Sequence, residues 1–202
     1  MIVYLESNFV LEIALSQEQV SATEVILEYA ERNEIALAIP WFSLAEPFST
    51  VTQRSRNRKK FISQLEGQLR DMRRSRTRED VRPIELAPAL LARIDSDETD
   101  NLIRAAERVL NVATVLAVDA TVFRQAMEYR TRFDFSPQDA LVYASVVGHL
   151  TDNESPGPHY FVTKDRDDFR DLSIAEELHA LDCELLMSFP EMALLLEQPL
   201  PD

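Results

Sequence analysis

Glycine is nearly missing from this 202-residue chain: only Gly67, Gly148 and Gly157 occur, far apart. That scarcity excludes a Gly-rich phosphate loop, whose tight turns need clustered glycines. The three histidines, His149, His159 and His179, and the single cysteine, Cys183, lack the spacing of a zinc site. Cys183 alone cannot form an internal disulfide, which points to a reducing compartment. There is no Gly-x-Ser-x-Gly nucleophile elbow. The N-terminus has no basic region and apolar core of the signal-peptide kind, and no apolar run approaches the roughly 20 residues of a membrane helix. These absences predict a cytoplasmic chain with no membrane partner, whose chemistry rests mainly on carboxylates.

What is present is apolar enough to fold. Hydrophobic residues make up 46% and charged residues 28%, the balance of a soluble globular protein. The length suits one domain over residues 1–202, burying roughly two-thirds or more of its unfolded surface. The net charge of −14 is unevenly spread. Between Arg54 and Arg82 stand eleven basic and four acidic residues, a local +7, against ten basic and 31 acidic elsewhere, −21. A charge run often only faces water. Read functionally, Arg54, Arg58, Arg70, Arg73 and Arg74 form a track for nucleic-acid phosphates in a chain that otherwise repels them.

Strands and helices alternate. Ile2-Val3-Tyr4-Leu5 is an unbroken β-favouring run, expected for a strand buried on both faces. A short helix over Val10–Leu15 follows, then one opened by the capping-box spacing Ser21-Ala22-Thr23-Glu24. Ile35–Pro40 reads as the second strand. Ser43-Leu44-Ala45-Glu46 repeats the capping-box pattern, which puts Glu46 and Pro47 in a first turn. A long basic helix follows, with Phe61, Leu65, Leu69 and Met72 as its apolar stripe. The spacing predicts a helix over Asp100–Asn111 with Leu102, Ile103, Ala106 and Leu110 inward, then a short strand or connector over Val115–Val118. Asp119 caps a helix to Tyr129, and Ser136-Pro137 opens another. Asn153–Pro158 is a loop, His159–Thr163 a strand, Ser173–Leu181 a helix and Cys183–Met187 the last strand. The pattern is α/β, a mostly parallel sheet with helices on both faces.

Four carboxylates share one context in this arrangement. Glu6 and Asp165 follow strands, while Glu46 and Asp139 open helices, so a parallel sheet gathers all four on its carboxyl rim. Each has a plainer use, as a helix cap or part of a polar turn. Together they repel unless a cation offsets them, and hard oxygen donors suit Mg²⁺ or Mn²⁺. Such an ion acidifies bound water and polarises a phosphoryl oxygen.

The ordered set Glu6-Ser7-Asn8, Ser43-Leu44-Ala45-Glu46, Asp139-Ala140 and Thr163-Lys164-Asp165 with Asp168-Phe169 resembles the PIN-domain nucleases. The resemblance implies a three-layer α/β/α fold with an enlarged helical middle at about 54–118. It implies a Mg²⁺- or Mn²⁺-dependent endoribonuclease that leaves a 5′-phosphate and a 3′-hydroxyl. Glu6, Glu46, Asp139 and Asp165 would hold the metal, with Asp168 catalytic beside them. Asn8 and Thr163 would orient ligands or water. RNA is the implied partner; an antitoxin protein and a homodimer are compatible with the family. The chain departs from the pattern at Glu6, where aspartate is usual, and in the extra acid Asp167; Asp168 is favoured because Phe169 looks like its buried anchor. Glu6 keeps a second outcome open, a PIN-like RNA- or protein-binding module with weakened metal binding. A haloacid-dehalogenase-type phosphatase needs Asp-x-Asp after the first strand, which Glu6-Ser7-Asn8 does not supply.

Overall fold

The computed structural model describes residues 1–74, 82–153 and 155–198, with the side chains of Arg82 and Pro83 left out. Arg76, Arg78, Glu79 and Asp80 of the basic segment, and Glu154 of the loop, lie outside the described residues.

Five strands, β1 (Ile2–Leu5), β2 (Ala36–Pro40), β3 (Ala113–Leu116), β4 (His159–Val162) and β5 (Cys183–Leu186), form one sheet in the order β3-β2-β1-β4-β5. Every pairing is parallel. The helices are α1 (Ser7–Leu15), α2 (Val20–Glu31), α3 (Trp41–Arg73), α4 (Arg82–Glu85), α5 (Ala87–Val112), α6 (Ala120–Phe133), α7 (Pro137–Asp152), α8 (Leu172–His179) and α9 (Phe189–Glu197). Strand side chains alternate between two cores, as the two-residue period requires. Val3, Leu5, Leu37, Ile39 and Val162 pack under α1, α2, α5 and α9. Ile2, Tyr4, Ala38 and Phe161 pack under α6, α7 and α8. This is the expected α/β/α fold with three layers.

The strand order also fixes where a site can form. From β1 the chain winds outward through β2 to β3, then crosses back to β4 and β5 on the other side. The connections therefore diverge between β1 and β4, and open parallel sheets carry their crevice outside the carboxyl ends at that point.

Several boundaries differ from the sequence reading. Ser21 lies inside α2, which starts at Val20 with no side-chain cap. Likewise α3 begins at Trp41, directly after β2, with Pro40 at the cap position. Ser43 is thus the third helical residue and Glu46 the sixth, so neither forms a capping box. Pro47 sits inside the helix, where it offers no N–H to the Ser43 carbonyl. The Ser43 hydroxyl, fully buried, has no hydrogen-bond partner among the described residues. On the rest of α3 only Leu69 of the expected stripe is buried, while Phe61 and Met72 are exposed. On α5 the inward residues are Leu102, Ala105, Ala106 and Val109; Ile103 and Leu110 face outward. Two helices, α4 and α9, had no counterpart in the sequence reading.

The long α3 and α5 are held together by charge. Arg58 donates to Asp95 at 2.7 Å and to Glu98 at 2.8 Å, with only 13% of its side chain exposed. Further along α5, Arg108 reaches Glu24 and Glu31 of α2 at 2.8 and 3.1 Å. That second cluster is well exposed, where ion pairs contribute little. Arg108→Ala is expected to lower unfolding stability by no more than about 1 kcal/mol, measured by urea denaturation. A larger loss would mean that these ion pairs, rather than apolar packing, hold α2 to α5.

Candidate active site

The end of β1 is capped by its own glutamate. Glu6 adopts an extended backbone before α1, and its Oε2 accepts from the Asn8 amide at 2.9 Å and the Ser7 hydroxyl at 3.1 Å. Its Oε1 accepts a long bond, 3.4 Å, from the Thr163 hydroxyl at the end of β4. Thr163 in turn accepts from the Asp165 backbone amide at 2.9 Å. One polar chain therefore ties the carboxyl ends of the two strands that flank the switch point. Glu6 is only 5% exposed. Burial raises its pKa, opposed by the backbone and side-chain amides of Asn8, the Ser7 hydroxyl and the Lys164 backbone amide.

Past Thr163 the chain makes a turn that presents two aspartates. The Asp168 amide donates to Asp165 Oδ1 at 3.3 Å. Phe169, 2% exposed, anchors the turn by packing its ring against Phe135 and Phe161. Asp167 is exposed and pairs with Arg170, while its charge also helps to raise the pKa of Asp168. Of the two, Asp168 is the one whose backbone amide bonds Asp165.

The third aspartate comes from α7. Ser136 caps this helix and Pro137 supplies its first turn, as the sequence indicated. The Ser136 hydroxyl donates to Asp139 Oδ2 at 2.5 Å and accepts from the Asp139 amide at 3.2 Å. Burial raises the pKa of Asp139; the Ser136 bond opposes this and the charge of Asp165 adds to it. Asp168 is raised further, to about 6, first by burial and then by the charges of Asp139 and Asp165. Asp139, Asp165 and Asp168 are therefore electrostatic neighbours, drawn from the ends of two different elements.

Glu46 stands apart from this trio. It lines a cleft of about 460 Å³ between α3 and the start of α7, with Phe42, Thr50, Gln53, Arg54 and Gln138. Gln138, the residue before Asp139, is the one α7 residue in its lining. Among the described residues, no three histidine, cysteine, aspartate or glutamate side chains close on one point as metal ligands do. Electrostatic coupling and ligand geometry are different tests, and the aspartates meet the first only. Their chemistry nevertheless suits a divalent ion. All the donors are hard oxygens, and among the described residues no lysine or arginine forms an ion pair with Glu6, Asp139, Asp165 or Asp168; Lys164 turns instead to Glu12 and Arg170 to Asp167.

The arginines divide into two groups. Arg58 is consumed by Asp95 and Glu98, and Arg73 pairs with Glu85 at 2.9 Å. Arg54 shares Glu98 but keeps 46% of its side chain exposed in the cleft wall. Arg74 is 84% exposed beside Asp71, and Arg70 lies in a separate groove with Glu66 and Glu85. Glu12 of α1, the most deeply buried ionic group among the described residues, was missed by sequence reasoning. A lone glutamate inside the apolar run Val10–Leu15 was the available signal.

A protein-family model described as PIN domain matches residues 3–169 of the chain. No curated protein and no solved structure matches it.

Proposed function

The chain belongs to the PIN-domain family, a fold generally associated with nucleases, and from that premise we propose that it is a metal-dependent endoribonuclease. The observation that carries this reading is the mutual electrostatic influence of Asp139, Asp165 and Asp168, with no lysine or arginine ion-paired to any of them among the described residues. Mg²⁺ or Mn²⁺ would be held by Asp139, Asp165 and Asp168, with Glu46 on the cleft side and Glu6 behind. The ion would supply a more acidic water and a polarised phosphoryl oxygen. Ser136 orients Asp139 through its hydroxyl, and Thr163 fixes the Asp165 backbone against Glu6. Such outer partners set ligand orientation and basicity. Asn8, through its amides, holds the Glu6 carboxylate in place.

Arg54, in the cleft wall beside Glu46 and Gln138, would meet a phosphate of the RNA strand. Arg58 would not, because its guanidinium is already used on both sides. Arg54→Ala is expected to flatten the salt dependence of RNA binding by about 0.7–0.9 in slope, one phosphate contact. Arg58→Ala should leave that slope unchanged and lower stability instead. Equal slopes for wild type and both variants would remove the cleft from the RNA path.

A second reading is favoured by Glu6, whose two oxygens are taken up by helix capping and Thr163. In it, the chain is a PIN-like RNA- or protein-binding module with weak metal affinity. Incubating the protein with RNA in Mn²⁺ and in chelator separates the two. Cleavage only with Mn²⁺, giving 5′-phosphate ends, supports the nuclease; RNA binding with neither cleavage nor Mn²⁺ binding supports the module.

A further inference from the structure

Glu12 is fully buried in α1, yet it carries a charge that the site described above does not use. Its Oε1 receives the ammonium of Lys164, whose side chain is 27% exposed. Its Oε2 accepts the Gln19 amide at 2.8 Å, and Gln19 Oε1 accepts the Phe189 amide at 3.0 Å. The acceptor of Lys164 is thus braced by the turn before α2 and by the start of α9.

Lys164 lies between Thr163 and Asp165. Three consecutive residues are therefore pinned in different ways: Thr163 to Glu6, Lys164 to Glu12, and the Asp165 amide back to Thr163. Lys164 forms a bend just past the end of β4, so these bonds rather than strand alternation set the direction of its neighbours. With Lys164 held against α1, Asp165 Oδ1 accepts the Asp168 amide at 3.3 Å. If Lys164 were released, the backbone there could rotate and the carboxylate would lose its fixed direction.

Stability alone is a poor reason for such a pair. Removing charges from water costs several kcal/mol per ion, and apolar residues of similar volume often serve stability as well or better. We propose that Glu12 and Lys164 are positioning residues that aim Asp165 into the aspartate trio, so that divalent-cation affinity is set from α1. The inference rests on the nuclease reading above, because it assigns the trio to a cation.

The test is calorimetric titration with MnCl₂ of wild type and the double variant Glu12→Met/Lys164→Met, with thermal melts in chelator. The apolar pair fills the same space but strips the Gln19 backbone amide of its acceptor, so a modest fall of melting temperature in chelator is expected, and the titration is run well below it. The Mn²⁺ dissociation constant should rise about 10–100-fold, as for loss of an outer-shell partner. Glu12→Gln is the second variant: it keeps the volume and can still accept the Gln19 amide, while Lys164 can extend to water. It should fold and bind Mn²⁺ at least about tenfold more weakly. Either folded variant with a dissociation constant within about twofold of wild type, less than the smallest outer-shell effect, would overturn the proposal alone and leave the pair a structural brace. Wild type that binds no Mn²⁺ would overturn it together with the nuclease reading.

Discussion

Asp139→Asn is expected to abolish Mn²⁺-dependent RNA cleavage while leaving the metal-free protein as stable as wild type, or more so. The two effects have one cause. Burial and the charge of Asp165 raise the Asp139 pKa, so the fold disfavours the ionised form that a metal would require. An amide removes that charge and still accepts the Ser136 hydroxyl bond, which keeps the capping geometry at the start of α7. Activity should fall by more than the 10–100-fold typical of an outer-shell partner, at least about a hundredfold. Glu46→Gln, in the flanking cleft, should lose less. If Asp139 served only as a first-turn acid, the substitution would instead cost on the order of 0.5 kcal/mol and spare activity. Initial rates on RNA with Mn²⁺, paired with melts in chelator, decide between them. A less stable variant that cleaves at the wild-type rate would sink the assignment.

Asp139 was legible in the sequence because Ser136-Pro137 is an unambiguous helix start, and its cap forms as read. The end of β4 was equally clear: an unbroken run, His159–Val162, followed by acids and an aromatic anchor. Glu46 was misplaced by three residues of helix because β2 passes into α3 with no loop. Trp41 and Phe42 carry no start signal, and Ser43 looks like a better cap than Pro40. The inner face of α5 was obscured for a different reason. Its Asp95 and Glu98 point toward the Arg58 guanidinium of α3, so polar residues occupy positions that hydrophobic periodicity assigns to solvent. The missed α9 did carry a signal, since Ser188 caps it through Glu191. Glu12 could not be read at all as an ion pair, because its partner lies 152 residues away. Local pattern thus put Asp139 and Asp165 at the ends of their elements and singled out Thr163 beside them, whereas the Glu12–Lys164 pair depends on a contact that only the folded chain makes.

That dependence leads to an opposite pH response with and without metal. Asp168 has its pKa raised from an ordinary 3.8 to about 6 by burial, Asp139 and Asp165. Between those values the folded chain holds a proton that the unfolded chain has released. Stability in chelator should therefore rise as pH falls from about 6 toward 4, and the penalty should be complete above 6. His149 works against this: burial lowers its pKa, so the unfolded chain takes up that proton first and acid weakens the fold. Comparing wild type with Asp168→Asn cancels the histidine. The variant should be the more stable protein at pH 7 in chelator, with its advantage shrinking to nothing near pH 4. Saturating Mn²⁺ should narrow that gap at pH 7. At a hundred times the dissociation constant it would stabilise wild type by about 2.7 kcal/mol, and the variant by less. The gain should fade below pH 6, where protons compete for the same oxygens. Parallel pH curves for the two proteins, with equal Mn²⁺ shifts, would mean that Asp168 neither feels its neighbours nor joins them in holding a cation.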